Sequence, residues 1–222
     1  MKISDNTKEI LKNFSEINPN LLIQSGKVVK TISTMKNILA TAGVEEDFPR
    51  DIPIYDLSEF LGMISLFSKP TFTFEDKYMT MQEEGTSTNS KYFYADPSIL
   101  TTPQKDVKMP ETEVEFTLTQ TDLTNIKKAA SMLQLPDIAV KSVGSDIIMS
   151  AVDKKNDTAN TYDVKVGETN KKFEFHFKTE HFKMLPGDYT VAISSKLISN
   201  FKNKNKSVQY WIALENTSKY EG

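Results

Sequence analysis

The 222-residue chain carries 27 Lys and Arg against 30 Asp and Glu, a formal net charge of −3, so bulk charge gives no reason to expect a nucleic-acid partner. It has no cysteine, which excludes disulfides, a thiol nucleophile and thiolate metal sites. The length suits one large domain or two of about 110 residues, with a core that needs no covalent staple. Met1-Lys2-Ile3-Ser4 opens no long apolar run and nowhere do about twenty apolar residues follow one another, so neither a signal peptide nor a membrane span is expected.

The first predicted element is a helix over residues 4–17. Ile3, Ile10, Leu11, Phe14 and Ile17 form its apolar stripe, Lys8 and Lys12 look away one turn apart, and Pro19 stops it. Strand-like runs follow at 21–23, 28–32 and 38–44, with Ser25-Gly26 as a hairpin turn, and a further run passes through Ile52 and Ile54. The stretch 54–67, IYDLSEFLGMISLF, reads as a second helix. Asp56 is its cap, Glu59 sits three positions later, and Tyr55 and Phe60 have the spacing of a hydrophobic staple. Leu57, Phe60, Leu61 and Ile64 share one face, Ser58, Gly62 and Ser65 the other, and Pro70 ends it. Phe72 and Phe74 alternate with threonine, residues 78–81 continue, and 91–94 close this half.

Residues 95–110 contain Pro97, Pro103 and Pro110 and no period, as an extended connector does. Beyond it Val114, Phe116 and Leu118 alternate as a strand, and Thr119 caps a helix that buries Leu123, Ile126, Ala130 and Leu133 before Pro136. Strands are predicted at 138–140, 147–152 and 162–166, and then at Phe173, Phe175 and Phe177. A short helix is predicted from Thr179 through Phe182 and Leu185 to Pro186-Gly187, before three last strands at 189–193, 196–201 and 208–214. Each half therefore reads helix, four strands, helix, three strands. Matching positions stand 118 apart (Gly26 and Gly144) and 122 apart (Phe60 and Phe182). Two tandem copies of one α+β unit, at 1–95 and 111–222 with a connector at 96–110, account for the length and the spacer together.

Catalytic chemistry is hard to find. His176 falls on the solvent face of a strand and His181 in the first turn of a short helix, neither at metal-ligand spacing. No phosphate-binding or nucleophile-elbow glycine motif occurs, Asp56 and Glu59 are read as helix caps, and residues 153–157 as a hairpin turn rather than a calcium loop. No catalytic residue, metal or cofactor is expected.

Several segments, in order, resemble a known family. They are Lys12-Asn13-Phe14, IYDLSEFLGMISL at 54–66, ADPS at 95–98, LQLPDIAV at 133–140, MLPGDY at 184–189 and ALE at 213–215. Together they span the chain and resemble the DNA polymerase sliding clamps of T-even-type tailed bacteriophages, of which the 54–66 segment is the most specific piece. The resemblance implies two clamp domains, each with two helices on one face of antiparallel sheets. Three subunits would close into a ring of six domains, with twelve helices around duplex DNA. It also implies an ATP-driven clamp loader, a tethered replicative polymerase, a link to late viral transcription, and residence in the cytoplasm of the infected bacterial host.

On that pattern the lysines on or beside the helices face the DNA without sequence specificity: Lys2, Lys8 and Lys12 in the first half, Lys127, Lys128, Lys178 and Lys183 in the second. The pattern also pairs Lys91, Tyr92, Phe93 and Tyr94 with Tyr162, Val164 and Val166 of a neighbouring subunit. A partner peptide such as the polymerase C-terminal tail would dock by Ile99, Leu100, Tyr210 and Trp211, with Tyr220 a further candidate in the tail; Trp211 stands where a smaller aliphatic residue is the pattern. Lys202, Lys204 and Lys206 read as a loop cluster. A phage structural protein of duplicated α+β domains, without a DNA role, fits the composition as well.

Overall fold

A computed structural model describes residues 1–222 as two compact units, Met1–Asp106 and Val107–Gly222. The division falls inside the expected connector, whose first part packs with unit 1. Asp96 caps a 3-10 turn over Pro97–Ile99, and Leu100 is buried. The Asn18 side-chain amide donates to the carbonyls of Ile32 and Thr101, while Asn20 Oδ1 accepts from the Thr101 N–H.

Unit 1 opens with α1 (Asp5–Ile17), whose stripe of Ile10, Leu11, Phe14 and Ile17 is buried as its spacing requires. β1 (Leu21–Ile23) pairs antiparallel with β4 (Ile52–Ile54), and β2 (Gly26–Ile32) with β3 (Ile38–Phe48). α2 (Leu57–Ser65) starts at Asp56, whose carboxylate accepts from the N–H groups of Ser58 and Glu59. Tyr55 is 63% exposed and makes no staple; the cap, with a hydrogen bond of 2.7 Å from the Leu57 N–H to the Pro19 carbonyl, fixes the entry to the helix. β5 (Pro70–Phe74), β6 (Tyr78–Glu83) and β7 (Asn89–Phe93) form a three-stranded antiparallel sheet in that order, so β7 is an edge.

One buried charge holds the start of unit 1. Glu46, on β3, accepts hydrogen bonds from the Ser4 N–H and the Thr7 hydroxyl at the first turn of α1. Burial pushes its carboxyl up, but the bonds from Thr7 and Ser4 outweigh that and hold it below the usual glutamate range. A carboxyl depressed in the fold adds stability above its unfolded pKa, and that stability is lost as pH falls through the folded value. Glu46→Gln should therefore cost about 1–3 kcal/mol at pH 7. The cost should vanish in strong acid, where both forms are neutral, and thermal unfolding followed from pH 7 downward reads the difference.

In unit 2, β8 (Val114–Leu118) leads into α3 (Gln120–Met132), capped by Thr119. β9 (Asp137–Val143), β10 (Asp146–Val152), β11 (Tyr162–Glu168) and β12 (Phe173–Lys178) join a sheet in the order β11–β10–β9–β12, closed beyond β12 by the two-residue β16 (Lys219–Tyr220). β13 (Tyr189–Ser194) lies between β8 and β14 (Ile198–Asn203), and β14 pairs with β15 (Val208–Ala213). The pairings within each unit are antiparallel, which makes both α+β.

Three expectations fail in unit 2. The predicted helix from Thr179 is a single 3-10 turn, Thr179–His181, because Phe182 leaves helical geometry to enter an aromatic cluster. Its ring is 5.6 Å from those of Phe177 and Phe201, edge-on to each. The chain thus has three α-helices rather than four. Leu133, expected in the core, is the helix C-cap and is 40% exposed. His176 and His181 are not solvated: the His176 ring sits between Glu174 and Thr217 under the C-terminal segment, and His181 is buried.

Candidate functional site

The lysines singled out from the sequence divide by what their ammonium groups touch. In unit 1 the outward faces of α1 and α2 enclose a groove of about 450 Å³. Lys8, Lys12 and Ser15 line one wall, Ser58, Gly62 and Ser65 the other, over Leu61, Ile64 and Phe67. Lys12 is exposed; Lys8 lies 3.1 Å from Asp5, which is 99% exposed, so water and salt leave that pair weak. Lys2 is 2.7 Å from Glu84 at the surface and holds the Glu84 carboxyl below its ordinary range, first by hydrogen bonding and then by charge.

In unit 2, Lys128 is exposed and Lys127 half-buried on α3, and Lys183 is half-buried just past the 3-10 turn. Lys178 behaves differently. Its ammonium is 2.7 Å from the carboxylate of Asp137, a side chain only 1% exposed, and 3.9 Å from Glu215. Lys154 approaches the same two acids at 3.8 and 3.4 Å. The hydrogen bond to Asp137, more than the charges around it, raises the Lys178 pKa. Its charge is paired with Asp137 inside the unit, which leaves less of it for a DNA-facing surface than the sequence suggests.

The strands expected to join subunits, β7 and β11, both lie at sheet edges with one row of backbone groups unpaired by their own sheets. On β7, Tyr92 is buried with its ring 5.2 Å from Phe60 of α2, while Phe93 is 65% exposed and the Lys91 ammonium lies 4.2 Å from the Tyr78 ring centre. Tyr94, just past the strand, is half-buried beneath the Arg50 guanidinium. On β11, Tyr162, Val164 and Val166 point one way, half-buried beside α3, and Asp163 and Lys165 point the other, exposed.

Of the peptide-docking candidates, Ile99 is 57% exposed in its 3-10 turn and Leu100 is tucked into unit 1. Tyr210 is fully buried; its hydroxyl accepts from the Leu185 N–H at 3.2 Å, so it supports the core and lines no surface pocket. Strand alternation turns Trp211 to the other face, half-exposed, with its indole N–H buried and unpartnered. Tyr220 is half-buried where β16 covers the β12 edge.

Sequence periodicity missed a second groove. Asn125, Lys128, Ala129, Met132 and Leu133 of α3 and Tyr162 of β11 enclose about 360 Å³, and Met132 is 73% exposed there. A helical apolar period treats such residues as core, and only a helix end turned outward reveals them.

Residues 115–216 match the family model described as gp45 sliding clamp, C terminal. The chain is 34% identical to the sliding clamp of Vibrio phage KVP40, with 97% of this chain and 99% of that protein covered. It is 28% identical to the sliding clamps of Enterobacteria phage T4 and Escherichia phage RB69, each over the full length of both chains. Among solved structures, a PCNA from Thermococcus kodakaraensis superposes with a TM-score of 0.71 at 12% identity, covering 97% and 99% of the two chains. The PCNA2–PCNA3 complex of Sulfolobus tokodaii gives 0.70 at 12% identity with the same coverage.

Proposed function

Because this chain belongs to the phage sliding-clamp family, we propose that three copies close head to tail into a ring around duplex DNA. It is a DNA polymerase processivity clamp, and every further step of the reading concerns how it does that work. The observation that carries the ring is the pair of open edges: β7 ends a sheet of unit 1 and β11 ends a sheet of unit 2. A head-to-tail contact of two different surfaces generates a closed ring when its rotation closes, and joining the edges removes the unpaired strands that would otherwise invite aggregation.

A ring holds DNA by linkage, so a net charge of −3 is no obstacle. Its inner surface needs only weak, salt-screened attraction to phosphates, and tight contacts would add friction. Lys8, Lys12 and Lys128 suit that role: all three sit on helices, and Lys12 and Lys128 are exposed. Lys2, Lys127 and Lys183 are secondary candidates. An ATP-driven loader opens the ring, the polymerase tail docks near Ile99 and Trp211, and late-transcription factors use the same tether, all in the host cytoplasm.

Two measurements test the reading. Three chains of 25.1 kDa should give a particle of about 75 kDa at micromolar concentration. After loader and ATP treatment the protein should stay on nicked circular DNA and leave when the circle is cut. Retention that ignores linearisation would reject the ring and favour a protein that grips DNA directly, and no retention on the circle at all would favour an assembly protein without a DNA role.

A further inference from the structure

The sheet of unit 2 that begins at β11 has a second end, at β12, and there the chain closes it with its own C-terminal segment. β12 reads Phe173-Glu174-Phe175-His176-Phe177-Lys178. Its three phenylalanines are buried, with the Phe173 and Phe175 rings stacked 5.1 Å apart, while Glu174 and His176 lie on the other face. A six-residue aromatic strand of low net charge, without proline or glycine, pairs readily with another chain once its backbone row is bare.

Residues 215–222 take that row. The Glu215 N–H donates to the His176 carbonyl at 2.8 Å, and Ser218 Oγ accepts from the His176 N–H at 2.9 Å. In β16, Lys219 pairs with Glu174 and Tyr220 with Phe173. Further along, the Lys172 N–H donates to the Gly222 carbonyl at 3.0 Å, and the Lys172 carbonyl accepts from the Glu221 N–H at 2.9 Å. β16 has two residues, too few to hold an edge by ladder bonds alone. Side chains supply the rest. The Lys154 ammonium reaches Glu215 at 3.4 Å and the Thr217 hydroxyl at 3.3 Å, and Thr217 Oγ1 meets His176 Nδ1 at 3.2 Å.

We propose that residues 215–222 are a strap that keeps β12 from pairing with the β12 of a second copy of this chain. Bared, the strand lies antiparallel on its counterpart about Phe175. That register sets Glu174 of each copy against His176 of the other and keeps the phenylalanines of both on the core side. Lys178, which falls opposite Lys172 at each end, is already neutralised by Asp137. A contact of one patch with itself closes as a two-fold, so the bare edge joins copies in pairs. With the strap down, β11 is the free end of this sheet. The strap therefore decides which end of the sheet accepts another chain, whatever assembly forms through β11.

The test reads particle mass by sedimentation or mass photometry over a concentration series, always against the full chain. Deleting residues 218–222 leaves the Lys154 contacts in place and should about double the mass, or more, at micromolar concentration. Lys219→Pro, which puts a residue without an N–H into β16, should associate in the same way within the complete chain. Adding Glu174→Lys to the deletion should return the mass to the full-chain value, because a lysine then faces His176. The sequence has no cysteine, so Glu174→Cys with Lys219→Cys can lock the strap by a single disulfide. Oxidised, that pair should match the full chain. A deletion variant that is folded by circular dichroism yet keeps the full chain's mass would overturn the proposal, as would association that Glu174→Lys leaves untouched. If the deletion does not fold, Lys219→Pro decides by the same reading, with full-chain mass as the overturning result. Lost binding of a polymerase tail peptide by the oxidised pair, with no association in the deletion, would assign the edge to that peptide instead.

Discussion

Phe182→Ala should cost about 3–5 kcal/mol, enough to unfold unit 2 at moderate temperature, since the substitution leaves a cavity where a buried ring was. Phe182 is 1% exposed and stands between Phe177 and Phe201, edge-on to both, while those two rings are themselves 6.3 Å apart. Neighbours so fixed by their own strands cannot collapse into the gap. Differential scanning calorimetry should show the fall, and Phe182→Leu, which fills most of the volume, should lose much less. A similar loss for both would mean that the ring geometry rather than the filled volume holds the segment.

That segment also marks the limit of what periodicity could reveal. The fold class, the cap at Asp56 and the buried stripe of α1 were legible because each is a local consequence of spacing. The helix predicted from Thr179 was not, because an aromatic cluster built from β12 and β14 captures Phe182 and ends the turn after three residues. His176 looked solvated for a related reason: the segment that covers it, around Thr217 and Ser218, is forty residues further along the chain. Alternation predicts which face of a strand a residue occupies, but not whether a distant piece of chain lies over that face.

The candidate site was legible in part. β7 and β11 lie at sheet edges, which leaves them open to the subunit boundary that the family resemblance implies, and Lys8 and Lys12 share one groove with α2. Tyr210 and Lys178 show why residue type alone misleads. A tyrosine two positions from another exposed aromatic would be surface, but next to Trp211 it takes the inward face. A lysine near a helix start looks free until a buried carboxylate from another strand is found beside it.

Lys178 and Lys12 should consequently respond to substitution in opposite ways. Lys178→Met strands the Asp137 carboxylate, 1% exposed, with only Lys154 at 3.8 Å to balance it. Removing one partner of a fully buried pair costs about 3–5 kcal/mol; Lys178 is 29% exposed and Lys154 remains, so about 2–3 kcal/mol is expected here. Its sliding on DNA at permissive temperature should change little, because the ammonium is held by the Asp137 carboxylate. Lys12→Ala should leave the unfolding temperature within about a degree or two, since an exposed lysine on a helix costs little to trim to alanine. Its diffusion along a loaded circle should be faster, and less sensitive to salt, by the share of one phosphate contact. Single-molecule tracking at two salt concentrations, beside thermal melts of the same preparations, separates the two. If Lys178→Met changed sliding without changing stability, the Asp137 pair would not be where its charge is spent.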